Sequence, residues 1–411
     1  FSWLYVLYHR GCCNGFGLPW VVFSSKRPRP NRGGVCYSAT MNPRVLIATG
    51  LYPPEIGGPA TYSRLLETRL GAHGFTVSVL PFSRVRKYWR GVRHVVYAYL
   101  LLRAMRHHDV LYAQDTLSVG LPAYLVHLMT RKRFVLRVPG DHTWEQGVQQ
   151  FKVLELLDDF PVWDWKWNPF LMLMRALQLT VVRAAERVVV PSAYLARIVA
   201  TWGVRADRIH VVYSGVAVED VGTREVIRGM LHFEGKLLIS VGRLVPWKGF
   251  DTVIRVFASL KKKHPDLTLF IVGSGPEEER LMTLARTKHV ESSVIFSGSI
   301  DRDALLRYLK AADIFVLNTS YEGLSHQILE TMSVGTPVVT TNVGGNGEVI
   351  TDGVDGYLVK PNSMPQLEKR IEELLSDKLV YERIRRAALT RVKRFNDDDA
   401  VRETAHVLSS L

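Results

Sequence analysis

Short apolar runs recur along the chain, separated by longer stretches of mixed polarity. Val45–Thr49, Thr76–Leu80, Asp109–Tyr112, Arg133–Val138, Arg187–Val190 and Ile209–Val212 are β-rich and largely apolar. Most of these runs do not alternate with polar residues, and such runs mark strands buried on both faces of a parallel sheet. The stretches between them are long enough for helices, so the pattern predicts an α/β chain with doubly wound parallel sheets. Tyr213 to Glu225 has no period and reads as a linker, after which Lys236–Val241 begins a second sheet.

The most informative turn lies at residues 318–330. Asp313–Leu317 reads as a buried strand, and Ser325 to Val334 as a helix closed by Gly335, with Pro337 starting the next strand. Strand, tight polar turn and helix N-terminus is where open α/β sheets bind ligands, because backbone N–H groups and the helix dipole favour anions there. Glu322 precedes Gly323, and Glu330 follows eight residues after Glu322. Eight residues are a little over two helical turns, so the carboxylates can share a face at different heights. The spacing alone also suits two solvated charges on a helix.

Other turns carry related chemistry. Gly57 and Gly58 permit close backbone approach to a ligand, with Pro59 suited to the first turn of a helix over Ala60–Leu70; an ordinary strand-to-helix turn has the same look. Gly242 frees the turn after Lys236–Val241, and Arg243 and Lys248 set two cations beside a helix N-terminus. Such cations suit a diphosphate leaving group, on which charge grows as a bond breaks. Asp141 and His142, within Arg137–Glu145 at the end of the fourth strand, are cleft residues, or else Asp141 caps the next helix. Gly273-Ser274-Gly275-Pro276-Glu277 lacks the third glycine of a dinucleotide loop.

In chain order, the Gly57-Gly58 turn, Gly242-Arg243 with Lys248-Gly249, the Gly273–Glu277 turn, Glu322 with Glu330, Gly344–Glu348 and Asp355–Val359 resemble the retaining GT-B glycosyltransferases of family 4, glycosyl transferases group 1. The resemblance spans residue 44 to about 395 and is densest from 240 to 360. It implies a GT-B fold, two Rossmann-like domains facing a central cleft. The expected layout is an acceptor-side domain over 41–213, a linker over 214–225, a nucleotide-sugar domain over 226–395 and a C-terminal helix over 396–411 packing back on the first domain.

By the same resemblance, Glu330 holds the ribose hydroxyls, Glu322 orients the donor sugar, and Arg243 and Lys248 neutralise the diphosphate with help from backbone groups at Gly323, Leu324 and Ser325. Gly57, Gly58 and Gly242 lie against the donor, Ser299 and Ile300 line the base pocket through their backbone, and Asp141 or His142 sits near the transferred sugar. The implied donor is a nucleotide-diphosphate sugar, with no cofactor and no metal required, and the acceptor is a glycan or lipid-linked sugar in cell-surface polysaccharide or glycolipid synthesis. Leu324-Ser325-His326 stands where many members have Phe-Gly, which leaves the sugar open. A sugar-nucleotide epimerase of the same fold and a non-catalytic membrane-surface scaffold are the competing classes.

Composition adds a surface question. The 411 residues carry 53 basic and 39 acidic side chains, a net +14. Five cations and no acid fall in residues 1–40, leaving +9 on the rest. These forty residues also hold all three cysteines and show no period, so they read as an extension outside the fold, with Met41 the natural start. Arg84, Arg86, Lys87, Arg90, Arg93, Arg103 and Arg106 interleave with Tyr88, Trp89, Tyr97 and Tyr99, and no acid intervenes before Asp109. Such a segment contacts an anionic membrane surface or forms a solvated face. No nucleic-acid motif accompanies it, and no apolar run is long enough to span a bilayer. A cytoplasmic protein, peripheral on the inner membrane face, is expected. Trp163, Trp165 and Trp167 alternate, as a sugar-stacking wall, an interfacial anchor or loop packing.

Overall fold

A computed structural model of the chain describes residues 42–411 except Ile56 and Trp165. The expectation for residues 1–40 falls outside the described residues. Twelve strands among them form two six-stranded sheets, parallel throughout. The first contains β1 (Arg44–Thr49), β2 (Thr76–Pro81), β3 (Val110–Ala113), β4 (Arg133–Arg137), β5 (Arg187–Val190) and β6 (Ile209–Val211) in the order β2-β1-β3-β4-β5-β6. The second contains β7 (Lys236–Val241), β8 (Leu267–Val272), β9 (Val294–Phe296), β10 (Ile314–Leu317), β11 (Val338–Thr341) and β12 (Tyr357–Val359) in the order β12-β11-β10-β7-β8-β9. Strand order reverses beside β1 and beside β7, the switch points where such sheets open a crevice.

The unalternated apolar runs have a direct packing cause. Val45 and Ile47 of β1 join a core with Tyr62 and Leu66 of the helix Gly58–Arg69, while Leu46 and Ala48 join another with Tyr97 and Leu101 on the opposite face. Helices cover both faces, so neither side of the strand can be polar. The expected linker is shortened by the helix Arg224–Met230, which Thr223 caps by accepting from Val226 N.

The C-terminal helix Asp397–Ser409 lies on the first sheet, where Val401, Val407 and Leu408 pack with Val45 and Ile47. The Tyr62 hydroxyl is 2.6 Å from Thr404 Oγ1. The halves also meet at Glu348, whose carboxylate accepts from Ala193 N (2.8 Å) and Tyr194 N (2.7 Å) at the start of the helix Ala193–Thr201, and from the Tyr213 hydroxyl (2.9 Å). A carboxylate from one sheet thus satisfies orphan donors of a helix on the other. Glu348→Gln is expected to lower stability by about 1–2 kcal/mol, since one charge-assisted acceptor becomes a neutral donor. Urea denaturation of both proteins measures this, and an unchanged midpoint contradicts it.

Candidate active site

The turn after β10 is pinned to the loop after β7. Ser320 N donates to Trp247 O at 2.7 Å, and Thr319 Oγ1 donates to the same carbonyl at 3.1 Å. Behind the turn, Gly345 N donates to Glu322 O at 2.9 Å. Gly344, at φ 56°, makes that approach possible, because a Cβ there would fall 1.9 Å from Glu322 O. The Glu322 side chain is thereby aimed at Lys248, with which it forms an ion pair. The helix His326–Ser333 follows directly, its N-terminus facing the same space.

Two adjoining cavities lie between the sheets. One, of about 250 Å³, is lined among others by Gly58, Arg137, Arg243, Lys248, Glu322 and His326. The other, of about 400 Å³, belongs to the N-terminal side and is lined by Arg86, Asp115, His142 and Gln146 among others. Pro59, Gln114, Pro139, Glu145 and Arg243 line both. Gly58 is needed for the close approach of the two halves: a Cβ on it would stand 2.6 Å from the His326 ring.

Of the residues singled out from sequence, Gly58, Arg243, Lys248, Glu322, Gly323 and Leu324 line the first cavity, and His142 lines the second. Gly57 caps the helix Gly58–Arg69, Gly242 follows β7, and Ser325 is the N-cap of His326–Ser333. Of the two readings of Asp141, cleft residue or helix cap, the structure shows the cap, and its placement among the catalytic residues is corrected. Asp141 is fully buried, accepts from Trp144 N (3.1 Å) and Gln178 Nε2 (3.0 Å), and pairs with Arg175 Nη1 at 2.7 Å. Both oxygens are committed to capping and to a buried ion pair, so it is structural rather than a cleft residue. Glu330 sits deeper, 3.4 Å from Arg302 Nε, and Arg302 also pairs with Glu219 at 2.5 Å. Burial pushes the Glu330 carboxyl up, and Arg302 opposes that. Ser299 Oγ lies 3.1 Å from Ser274 Oγ beyond the ends of β8 and β9, and Ile300 packs on the second core; neither lines the two cavities.

The basic aromatic segment also divides. The helix Arg90–Ala104 exposes Val92, Val95 and Tyr99 on one face, next to Trp89, which is 80% exposed. Leu125, Leu128 and Met129 of the helix Gly120–Thr130 extend the apolar surface, and Arg84, Lys87, Arg103 and Arg106 are exposed. Tyr97, in contrast, is buried and donates to Leu80 O. Arg86 pairs with Glu55, donates to Gly50 O at 2.9 Å and lines the second cavity with Arg93. Trp167 stacks on Phe160 with centroids 4.7 Å apart, and Trp163 lies 6.4 Å from Trp167, which is loop packing away from both cavities. Trp165 is outside the described residues.

Sequence reasoning passed over Arg137, Arg302 and Glu145. The signal for Glu145 was its place in the first turn of the helix His142–Gln150, just after a strand end. Burial, then Asp141, pushes its carboxyl up to about 7, against Arg243 and Lys248. A raised carboxyl pKa keeps the proton in the folded state after the unfolded chain has lost it. Stability therefore falls as pH rises from about 4.5 to about 7, by roughly 3 kcal/mol. Glu145→Gln is expected to remove this fall. Urea midpoints at pH 5 and pH 8 measure it, and an identical pH dependence in both proteins contradicts it.

Among the described residues, no cluster of three or more His, Cys, Asp or Glu side chains has a metal-binding arrangement, and no helix is long and apolar enough to cross a membrane.

Two parallel-sheet halves around a cleft with paired cations and a helix N-terminus define a GT-B glycosyltransferase architecture. The profile for glycosyl transferases group 1 matches residues 226–391, and that for glycosyltransferase family 4 matches residues 54–220. The chain belongs to this family of glycosyltransferases. It is 27% identical over 387 residues to glycogen synthase of Mycobacterium tuberculosis, covering 85% of this chain and 90% of that one. It is 34% identical over 236 residues to D-inositol 3-phosphate glycosyltransferase of Acidothermus cellulolyticus, covering 54% and 52%. The fold is that of sucrose-phosphate synthase from Thermosynechococcus elongatus, with TM-score 0.75, 18% identity and 90% and 98% of the chains covered. HepE of Anabaena, solved with UDP-glucose, matches with TM-score 0.70, 19% identity and 90% and 100% covered.

Proposed function

We propose that the cleft transfers a sugar from a nucleotide-diphosphate donor, with retention at the anomeric carbon, to a glycan or lipid-linked acceptor. The observation that carries this is the convergence of Arg243, Lys248, Glu322 and the start of the helix His326–Ser333 on one cavity. Arg243 and Lys248 stabilise the departing diphosphate, which gathers charge in the transition state. Glu322 positions both Lys248 and the donor sugar. Glu330 receives the ribose hydroxyls, held in place by Arg302, and the base lies toward Ser299 and Ile300. UDP is the favoured nucleotide, because HepE was solved with UDP-glucose.

The second cavity takes the acceptor. Glu145 adjoins both cavities and orients the incoming hydroxyl, and His142 lines the acceptor cavity beside it. The role in cell-surface polysaccharide synthesis is supported by similarity to a lipopolysaccharide core glycosyltransferase of Rhizobium meliloti, 31% identical over 185 residues, covering 41% of this chain and 53% of that one. The exposed apolar and basic surface around Trp89 favours work at the inner face of a membrane. Nucleoside diphosphate release measured with and without acceptor tests the proposal. Acceptor-dependent release is expected; donor turnover without any acceptor makes the protein an epimerase or hydrolase, and no turnover with any donor leaves the scaffold reading.

A further inference from the structure

Arg137 is 4% exposed, at the end of β4. Its guanidinium carbon lies 3.4 Å from the Tyr62 ring centroid, and Nη2 donates to Ser214 Oγ at 3.0 Å. Nη1 is buried and has no hydrogen-bond partner. None of the ion pairs among the described residues involves Arg137, whereas the equally buried Arg175 is paired with Asp141. A buried cation facing one hydroxyl and one ring is under-compensated, and the cost of desolvating it is offset only when an anion arrives.

The position of Arg137 narrows the choice of anion. It lines the 250 Å³ cavity but not the acceptor-side cavity, and so does His326. The diphosphate has Arg243 and Lys248 for its charge, on segments of the second sheet's half. The cavity is smaller than the roughly 300–1,000 Å³ of drug-sized sites, which suits a sugar with its phosphate link rather than a whole nucleotide. His326 stays neutral, because burial and then Arg137 and Arg302 depress its pKa to about 4, so it adds a hydrogen-bonding ring without a second charge.

We propose that Arg137 is the counter-ion for a carboxylate on the transferred sugar, making the donor a nucleotide-linked uronate. The inference deepens the glycosyl-transfer reading and rests on it. Arg137 is then a specificity-determining residue: Nη1 donates to the carboxylate, while Tyr62 and Ser214 fix the guanidinium plane.

Calorimetric affinities for UDP, UDP-glucose, UDP-galactose, UDP-glucuronate and UDP-galacturonate, on the full chain and on Arg137→Met, test this. The wild type is expected to bind one uronate about tenfold to a hundredfold tighter than the matching hexose, the scale of one hydrogen bond to a charged group. Arg137→Met is expected to erase that preference and leave UDP affinity unchanged. Equal affinity of the wild type for acidic and neutral sugars overturns the proposal, and this comparison needs no variant to fold. An equal loss for UDP alone in Arg137→Met also overturns it, by assigning Arg137 to the diphosphate. Failure of these five and of their GDP and ADP counterparts to bind removes the glycosyl-transfer reading itself, and the inference with it.

Discussion

Replacing Arg243 by Ala is expected to lower kcat by about a hundredfold or more, the loss seen when one preorganised charge-stabilising donor is removed. The effect should fall on turnover rather than on affinity for the nucleoside monophosphate, which offers less of the diphosphate to grip. Lys248→Ala should lose as much turnover, but it also strands Glu322, which is 8% exposed and ion-paired to that lysine. An unpaired buried carboxylate is strongly destabilising. Urea denaturation of Lys248→Ala beside the double variant with Glu322→Gln, which removes the stranded charge, separates that loss of stability from the loss of turnover. Steady-state kinetics with UMP as competitor provides the readout. Unchanged kcat in Arg243→Ala contradicts the proposed diphosphate site.

Reversing Arg84, Lys87, Arg103 and Arg106 to Glu is expected to abolish binding to anionic vesicles. Each cation near an anionic bilayer contributes about 1 kcal/mol, so four together change partitioning by roughly a thousandfold. All four are exposed, Arg84 and Lys87 near Trp89 at the start of the helix Arg90–Ala104 and Arg103 and Arg106 beyond Tyr99 at its end, and the side chains of Trp89, Val95 and Tyr99 can enter the interface. Arg86 and Arg93 are left intact, because both line the acceptor-side cavity and their loss would mix catalysis with docking. Co-sedimentation with phosphatidylserine-containing and phosphatidylcholine vesicles should show binding to the former alone, weakened by salt as screening grows. Equal binding to both, or to neither at low salt, makes this an ordinary solvated face.

The parallel sheets were legible because burial on both faces leaves a mark in the central strands: β1 could not have been apolar without alternation unless helices covered it twice, whereas the edge strands β2, β6 and β9 are only partly buried. The Arg243–Lys248 turn was legible for a related reason, since glycine, cations and a strand end are all local features. What escaped depends on contacts distant in sequence. Asp141 could be read as a cleft acid or as a helix cap; its capping was legible locally, but its ion pair with Arg175, thirty-four residues away, was not. Tyr97 looked like a surface aromatic because its burial is set by helix orientation against β2. The protonation of Glu145 depends on enclosure by Tyr321 and by the second sheet's loops, which no window around residue 145 contains. Arg137 is informative only through the partner it lacks, and a sequence cannot display that.

The measurement that bears most directly on the central claim is product analysis by NMR after incubation of the full chain with UDP-glucuronate, UDP-glucose and UDP-galactose, together with a lipid-linked or glycan acceptor. Transfer through this cleft predicts a new glycoside whose anomeric coupling matches the donor, formed by the wild type and absent with Arg243→Ala. A product of inverted configuration, or equal product from Arg243→Ala, contradicts it.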